Sequence, residues 1–353
     1  MKPTLVSGIQ PTGQLHIGNY LGALQNLVAL QNSGKYECYF FIADLHSLTT
    51  ASDPYSAKEK QSQLYDLAAH FFAAGLDPKK SVIFLQSQVP AHTELAWLLG
   101  TVAPIGALSL MTQFKDKVLR PLAAPTENSA KKIDSSEEAV GDIRARANAG
   151  LFTYPVLMAA DILIYDAAFA PVGEDQTQHL ELARELVRKW NARFGQTFIE
   201  PQALYTEHKR VMSLDDPSKK MSKSQPKGCL FLDDTSDAIR DKIKRAVTDS
   251  GTEIVYDPAQ KPAISNLLDI YAALSSETPE EAEIEFKGKN YGEFKTALAE
   301  RVTSAFADYR KKKADLMAKP AALKRLLASG AKKANARANK KLEEVKKKVG
   351  VAL

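Results

Sequence analysis

The chain has 353 residues, 44% of them hydrophobic and 25% charged, and a formal net charge of +5. This is an ordinary globular composition, long enough for two domains and a substantial core, and its longest apolar runs are too short to span a bilayer. Cys38 and Cys229 are the only cysteines, which argues against a disulfide scaffold and against a four-thiolate zinc or iron–sulfur centre.

The start of the chain, Met1-Lys2-Pro3-Thr4, leads directly into a strand-like Leu5-Val6-Ser7. No signal or transit peptide is expected there, and a reducing cytoplasm is the expected compartment. Residues 4–7, 37–43 and 81–86 are short, apolar and rich in β-branched or aromatic side chains, the pattern of parallel strands buried on both faces. Helical periodicity over 18–32 and 57–74 lies between them, so the first two hundred or so residues predict a parallel sheet covered by helices. Gly75-Leu76-Asp77-Pro78 predicts a helix stop and a turn before the third strand. After a helix-like 108–115, residues 116–149 carry Pro121, Pro125, several Ser and Asn, and mixed charge. They predict a long surface loop, with a functional lid as the alternative. Residues 154–163 and 176–194 read as helices. From 236 onward the strand signal fades, and Ala, Lys, Glu and Leu recur in helical patterns. The predicted fold class is α/β: a Rossmann-like parallel-sheet catalytic domain over 1–235, then an all-helical C-terminal domain over 236–353.

Two short words carry most of the chemistry. Gly8-Ile9-Gln10-Pro11-Thr12-Gly13 follows the first strand, and His16-Ile17-Gly18-Asn19 then opens a helix. Glycines at 8, 13, 18 and 22 let backbone approach ligand and helix approach sheet. A helix N-terminus offers free N–H groups and positive potential to phosphates. His16 and Asn19 would add donors to charge developing on a transferring phosphate; a plain strand–turn–helix is the competing reading. The G-x-G-x-x-G spacing is absent, which argues against a Rossmann dehydrogenase. Far downstream, Lys220-Met221-Ser222-Lys223-Ser224 sets two ammonium groups around hydroxyls. Such a loop can hold triphosphate oxygens as leaving pyrophosphate gains charge, although alone it reads equally as a solvent loop. Val211-Met212-Ser213-Leu214 predicts a strand-like lead-in to it.

Between these words, Asp161 is the one carboxylate in the apolar stretch 154–163. It must be satisfied, by a ligand N–H or O–H or by an internal cap or salt bridge. Pro171-Val172-Gly173-Glu174-Asp175-Gln176 is a glycine-led, acceptor-rich turn suited to ribose hydroxyls at the carboxyl end of a parallel strand, or else the acidic first turn of the next helix. Charge is unevenly spread. From Asp308 to Lys348, fifteen Lys or Arg stand against four Asp or Glu, which suits a polyanion or a solvated Lys-rich surface.

In this order and spacing, the words resemble the signature pair of class I aminoacyl-tRNA synthetases. Over nearly its whole length the chain is similar to the bacterial-type tryptophanyl branch. Residues 7–13, 16–19, 154–163, 171–179, 212–214 and 220–224 carry the match. Ala246-Val247-Thr248-Asp249-Ser250, Ile264-Ser265-Asn266-Leu267-Leu268 and Lys289-Asn290-Tyr291-Gly292-Glu293-Phe294-Lys295 extend it. The resemblance implies His16, Asn19, Lys220 and Lys223 as catalytic residues. It implies an ATP site of Gln10, Pro11, Thr12, Gly18, Asn19, Gly173, Glu174, Asp175 and Val211, with Lys220, Met221, Ser222, Lys223 and Ser224 closing on the phosphates. It implies a tryptophan slot of Val6, Gly8, Met158, Val172, Gln176 and His46, with Asp161 accepting the indole N–H. Magnesium–ATP as co-substrate, no protein-bound metal, tRNA(Trp) as acceptor, a homodimer, no membrane association and an anticodon-reading C-terminal domain follow from the same resemblance. Two departures stand out: the 116–149 connection is longer than is usual in the family, and Gln225 stands where Asp is frequent. A tyrosyl-tRNA synthetase, with a phenol hydroxyl on Asp161, is the nearest alternative; a small-molecule nucleotidylyltransferase and a non-catalytic RNA-binding relative are the others. Neutralising Lys311, Lys312 and Lys313 is expected to weaken tRNA binding and flatten its salt dependence.

Overall fold

The computed structural model describes residues 2–11, 13–49, 55–112, 148–173, 176–205 and 210–352. Most of the 116–149 stretch lies outside the described residues. Five strands form one sheet: β1 (Thr4–Ile9), β2 (Glu37–Ile42), β3 (Ser81–Leu85), β4 (Phe169–Pro171) and β5 (Gln202–Leu204). Their order is β3-β2-β1-β4-β5, and every pairing is parallel. The register runs Thr4↔Glu37 to Ile9↔Ile42 between β1 and β2, and Cys38↔Ser81 to Ile42↔Leu85 between β2 and β3. Alternate residues of a strand face opposite sides. In β2, Cys38, Phe40 and Ile42 enter one core, while Tyr39 and Phe41 enter the other. Both faces are therefore apolar, as a helix-covered parallel sheet requires.

The first helical stretch is α1 (Ile17–Asn19), a π-helical turn (Tyr20–Leu24) and α2 (Gln25–Asn32). Next comes α3 (Ala57–Ala74), which starts at a reciprocal cap: Ser56 Oγ accepts from Glu59 N at 3.1 Å, and Ser56 N donates to Glu59 Oε2 at 2.6 Å. It stops at Gly75, whose φ of +109° suits glycine. Then follow α4 (Ala91–Gly100), α5 (Ile105–Ser109), α6 (Ala149–Leu163) and α7 (Thr177–Phe194). Helix α6 begins before the predicted residue 154 because Asn148 Oδ1 caps Leu151 N at 2.7 Å.

Residues 211–214 correct the strand-like reading: they join none of the five strands. Met212 makes an isolated antiparallel bridge with Lys220. The Asn266 side chain holds the Met212 backbone at both ends, accepting from its N at 2.8 Å and donating to its O at 3.1 Å.

From residue 236 on, the described elements are helical: α8 (Ser236–Arg245), α9 (Pro262–Ser275), α10 (Pro279–Glu285), α11 (Tyr291–Ala305), α12 (Ala307–Met317) and α13 (Pro320–Val349). The 30-residue α13 returns to the sheet. Its Ala331, Ala334, Ala338, Leu342 and Val345 share a core with Tyr39, Phe41 and Phe84. At Gly330 it comes so close to β3 that a Cβ there would lie 1.8 Å from Ile83 O. Arg337 donates to Thr4 Oγ1 at 2.9 Å and to Tyr165 O at 2.8 Å, and Lys341 Nζ lies 2.7 Å from Asp166.

Part of the C-terminal positive charge is thus committed internally. Lys313 corrects the expectation that it serves RNA. It is 7% exposed, with Nζ 2.6 Å from Asp66 and 2.5 Å from Asp233. Asp66, His70 and Asp233 bring possible metal-ligand atoms within 4.8 Å of one another, but the Lys313 ammonium supplies the positive charge between the two carboxylates. Lys311, Lys312, Lys332, Lys333, Lys340, Lys347 and Lys348 remain exposed.

Candidate active site

In an open parallel sheet, ligands enter the crevice beyond the carboxyl ends of the strands, where the strand order reverses. Here β1 and β4 flank that point. A cavity of about 360 Å³ opens there, within the range for one small ligand. Val6, Ser7, Gly8, Ile9 and Gln10 line it from β1, and Ala170, Pro171, Val172, Gly173 and Gln176 from β4 and the turn beyond. Tyr154, Met158, Asp161 and Ile162 come from α6, Phe41, Ala43 and His46 from β2 and its exit, and Asn26 from α2. Gly8 keeps this space open: a Cβ there would stand 2.5 Å from Phe41 Cε2 and Cζ. All seven residues of the expected tryptophan slot, Val6, Gly8, His46, Met158, Asp161, Val172 and Gln176, line this one cavity.

Asp161 is 1% exposed, and its carboxylate is ringed by donors. His46 Nε2 lies 2.7 Å from Oδ2, His92 Nδ1 2.5 Å from Oδ1, and Gln86 Nε2 donates to both oxygens at 2.9 Å. Burial alone would raise its pKa. Hydrogen bonds from His46 and His92 outweigh that and hold the carboxyl below its usual range. The group is an ionised acceptor. His92 Nε2 continues the network to Tyr165 OH at 2.7 Å. On the other wall, Tyr154 OH lies 2.7 Å from His179 Nε2. The two readings left open for Asp161 coexist: it is internally bonded, and it faces a cavity.

The fold brings the two signature words side by side. Ile17 N donates to Leu230 O at 2.9 Å and Leu232 N to Leu15 O at 3.0 Å, and His16 pairs antiparallel with Phe231. The segment leaving 220–224 therefore lies along the segment entering α1. A Cβ on Gly13 would be 3.8 Å from Lys223 Nζ. Burial first, then the charges of Lys220 and Lys223, depress the His16 pKa to about 4, so its imidazole is neutral at pH 7. Its Nδ1 is buried without a hydrogen-bond partner among the described residues. Asn19 Oδ1 accepts from His16 N at 3.0 Å, fixing the turn. Gly18 allows a close pass: a Cβ there would lie 3.1 Å from His16 Nδ1 and 3.5 Å from Val211 Cβ.

Of the other expected nucleotide residues, Gln10 and Gly173 line the cavity, while Pro11 and Val211 are buried. Thr12, Glu174 and Asp175 lie outside the described residues. Met221 points its side chain into the core at 2% exposure and ties the loop down through Met221 N to Val211 O at 3.0 Å. That corrects any side-chain role toward a ligand. Ser222 and Ser224 join hydroxyls at 2.9 Å.

Sequence reasoning missed Gln86, His92 and Tyr165. The available signal was polarity in apolar company, namely a Gln closing a buried strand and a His in the first turn of an apolar helix.

Comparison with known proteins agrees with this geometry. A family model described as tRNA synthetases class I (W and Y) matches residues 1–307. A tryptophan–tRNA ligase of Leifsonia xyli subsp. xyli is 43% identical over 353 residues, covering 99% of this chain and 97% of the relative. The structure of tryptophanyl-tRNA synthetase from Mycoplasma pneumoniae aligns with a TM-score of 0.83 at 32% identity, covering 100% of this chain and 99% of that one. The Campylobacter jejuni tryptophanyl-tRNA synthetase, complexed with ADP and tryptophan, aligns at 0.79 with 34% identity, covering 98% and 99%. Sheet, crevice and paired words are those of a class I aminoacyl-tRNA synthetase. The chain belongs to the family of that class that comprises the tryptophan and tyrosine enzymes.

Proposed function

We infer that the chain is a tryptophan–tRNA ligase. It activates tryptophan with ATP and transfers it to the 3′-terminal adenosine of tRNA(Trp). The observation that carries this reading is the cavity between β1 and β4 with its ionised, buried Asp161, and the approach of Lys220 and Lys223 to His16 supports it. The indole ring lies in the slot between Gly8 and Met158 and gives its N–H to Asp161. A buried acceptor of this kind rejects side chains without the donor by about 10⁴–10⁵.

The tryptophan carboxylate attacks the α-phosphorus of magnesium–ATP, and pyrophosphate leaves in line. The 2′- or 3′-hydroxyl of the tRNA then attacks the acyl carbon and releases AMP. The protein contributes position and charge rather than a nucleophile. Neutral His16 and the side-chain amide of Asn19 offer N–H groups to the phosphates. Lys220 and Lys223 take up charge on the leaving pyrophosphate. Gln10, Pro11, Thr12 and Gly18 line the rest of the ATP site, and Gly173, Glu174 and Asp175 hold the adenosine side, with Val211 against adenine. The helices from 236 on, with their exposed lysines, form the tRNA-reading part.

No described helix is long and apolar enough to cross a membrane; the cytoplasm, where tRNA is charged, is the proposed location. Trp97, Ile105 and Leu110 are 77%, 74% and 62% exposed. The first two line a wide apolar hollow with Leu108 and Val156. Apolar surface of this extent marks an interface, and a second copy of the chain is the proposed cover.

Tryptophan-dependent ATP–pyrophosphate exchange tests the reading. Exchange with tryptophan, and not with tyrosine or phenylalanine, is expected. Exchange with tyrosine alone would transfer the assignment to the sister enzyme.

A further inference from the structure

The donors on Asp161 come from two sides. His46 lines the cavity, whereas Gln86, at the end of β3, and His92, on α4, reach the carboxylate from behind and are 0% exposed. An ionised carboxylate can only accept, so His92 Nδ1 must carry the proton. In the neutral ring, Nε2 then accepts the Tyr165 hydroxyl. Tyr165 is itself held: it is 0% exposed, stacks on Tyr39 at 4.6 Å, and its carbonyl receives Arg337 of α13 at 2.8 Å. The tautomer that aims a donor at Asp161 is thus selected by a fixed neighbour.

We propose that His92, held in this tautomer by Tyr165, is a positioning residue for amino-acid selection, keeping Asp161 fixed and charged so that its cavity edge only accepts. This rests on the reading of Asp161 as the indole acceptor. A protonated Asp161 would turn an O–H toward the substrate and oppose an N–H group. The titratable groups around it are His46 beyond β2, His92 on α4, Tyr154 on α6 and Tyr165 just after it, with Tyr39 and Arg337 one layer out. Without His92, one histidine and Gln86 remain as donors, and the carboxyl protonates more readily.

The test is pyrophosphate exchange by full-length His92→Leu, His92→Asn and Tyr165→Phe enzymes between about pH 5 and 9. The substrates are tryptophan and its benzothiophene isostere, in which sulfur replaces the N–H. For His92→Leu the tryptophan KM rises about ten- to hundredfold, with kcat changed far less and the ATP KM unchanged. The acid limb of kcat/KM for tryptophan moves to higher pH. Asparagine, whose Nδ2 can stand where Nδ1 stood, restores both. The isostere is indifferent to the substitutions. A folded His92→Leu enzyme that loses tryptophan and isostere equally, or loses neither, overturns the proposal. Wild-type enzyme that uses the isostere as well as tryptophan instead overturns the Asp161 reading, and the proposal with it. Should His92→Leu not fold, Tyr165→Phe removes a single oxygen and carries the same comparison in the same direction, with a smaller shift.

Discussion

Gly8→Ala should damage tryptophan use while sparing ATP. A Cβ at this position would sit 2.5 Å from two ring carbons of Phe41, roughly 1 Å inside ordinary carbon contact at about 3.5–4.0 Å. Phe41 cannot swing clear, because it is 4% exposed and meets Phe84 at 5.8 Å and His92 at 5.9 Å between ring centroids. Either the ring presses on His92, and through it on Asp161, or β1 shifts into the cavity. Overpacking of this size costs about 1–3 kcal/mol, or about 5- to 150-fold in an equilibrium. Measured by pyrophosphate exchange, the tryptophan KM should rise by that factor, and the ATP KM should stay near the wild-type value. A folded Gly8→Ala enzyme with its tryptophan KM within about threefold of wild type would refute the argument that this glycine holds the slot open.

Gly330→Ala should lower the melting temperature by about 2–3 °C. Its Cβ would stand 1.8 Å from Ile83 O, so α13 must retreat, and the helix-propensity gain of about 1 kcal/mol does not offset this. Ser329→Ala, on the exposed side of the same turn, should leave the melt unchanged or raised; equal behaviour of the two variants would count against the close contact. The His16 pKa of about 4 lies below the unfolded value of about 6.5, so the unfolded chain takes up this proton first as pH falls. His16 therefore contributes stability that is present above about pH 6.5 and lost between there and about pH 4, by at most about 3 kcal/mol. His16→Asn should flatten that part of the stability–pH curve measured by urea unfolding. Lys313→Met leaves Asp66 and Asp233 facing each other and should cost about 1–3 kcal/mol after allowance for their partial exposure. Lys311→Met and Lys312→Met should spare stability and instead weaken tRNA binding with a shallower salt slope; the opposite pattern in filter binding and melts would reverse the assignment. Light scattering should give the mass of a dimer, and Trp97→Glu that of a monomer.

Legibility in the sequence followed the length and contrast of the signal. The first three strands are five or six residues each, rich in apolar, β-branched and aromatic side chains, and Ala57–Ala74 announces itself by its helical periodicity and the Gly75 stop. β4 and β5 are three residues each, too short for any periodicity, and form because β1 offers an edge at Leu5↔Phe169. Residues 211–214 look like a strand by composition, yet a side chain far along the chain, Asn266, takes up hydrogen bonds that a sheet neighbour would have. The cavity wall was legible where a glycine or a lone carboxylate broke a pattern, at Gly8 and Asp161. It was not legible at Gln86, His92 and Tyr165, because their meaning depends on tertiary approach across up to 75 residues. Basic residues misled for a related reason: composition cannot separate Lys313, turned inward, from Lys311 and Lys312 beside it.

The last helix also sets a timetable. Arg337 joins Thr4 across 333 positions of sequence, and the core around Tyr39 and Phe84 is completed by residues as late as Val345. Chains emerge from the ribosome at about 5–20 residues per second, N-terminal part first. The sheet must therefore wait, with part of one apolar face uncovered, until nearly the whole polypeptide has been made. A chain cut after α12 should keep its helices yet bind a hydrophobic dye and aggregate; a soluble, dye-silent product would show that the sheet matures alone. Completion of synthesis, more than any local event, is then what closes this core, and a chain terminated even close to the end is expected to behave as a substrate for chaperones and proteases.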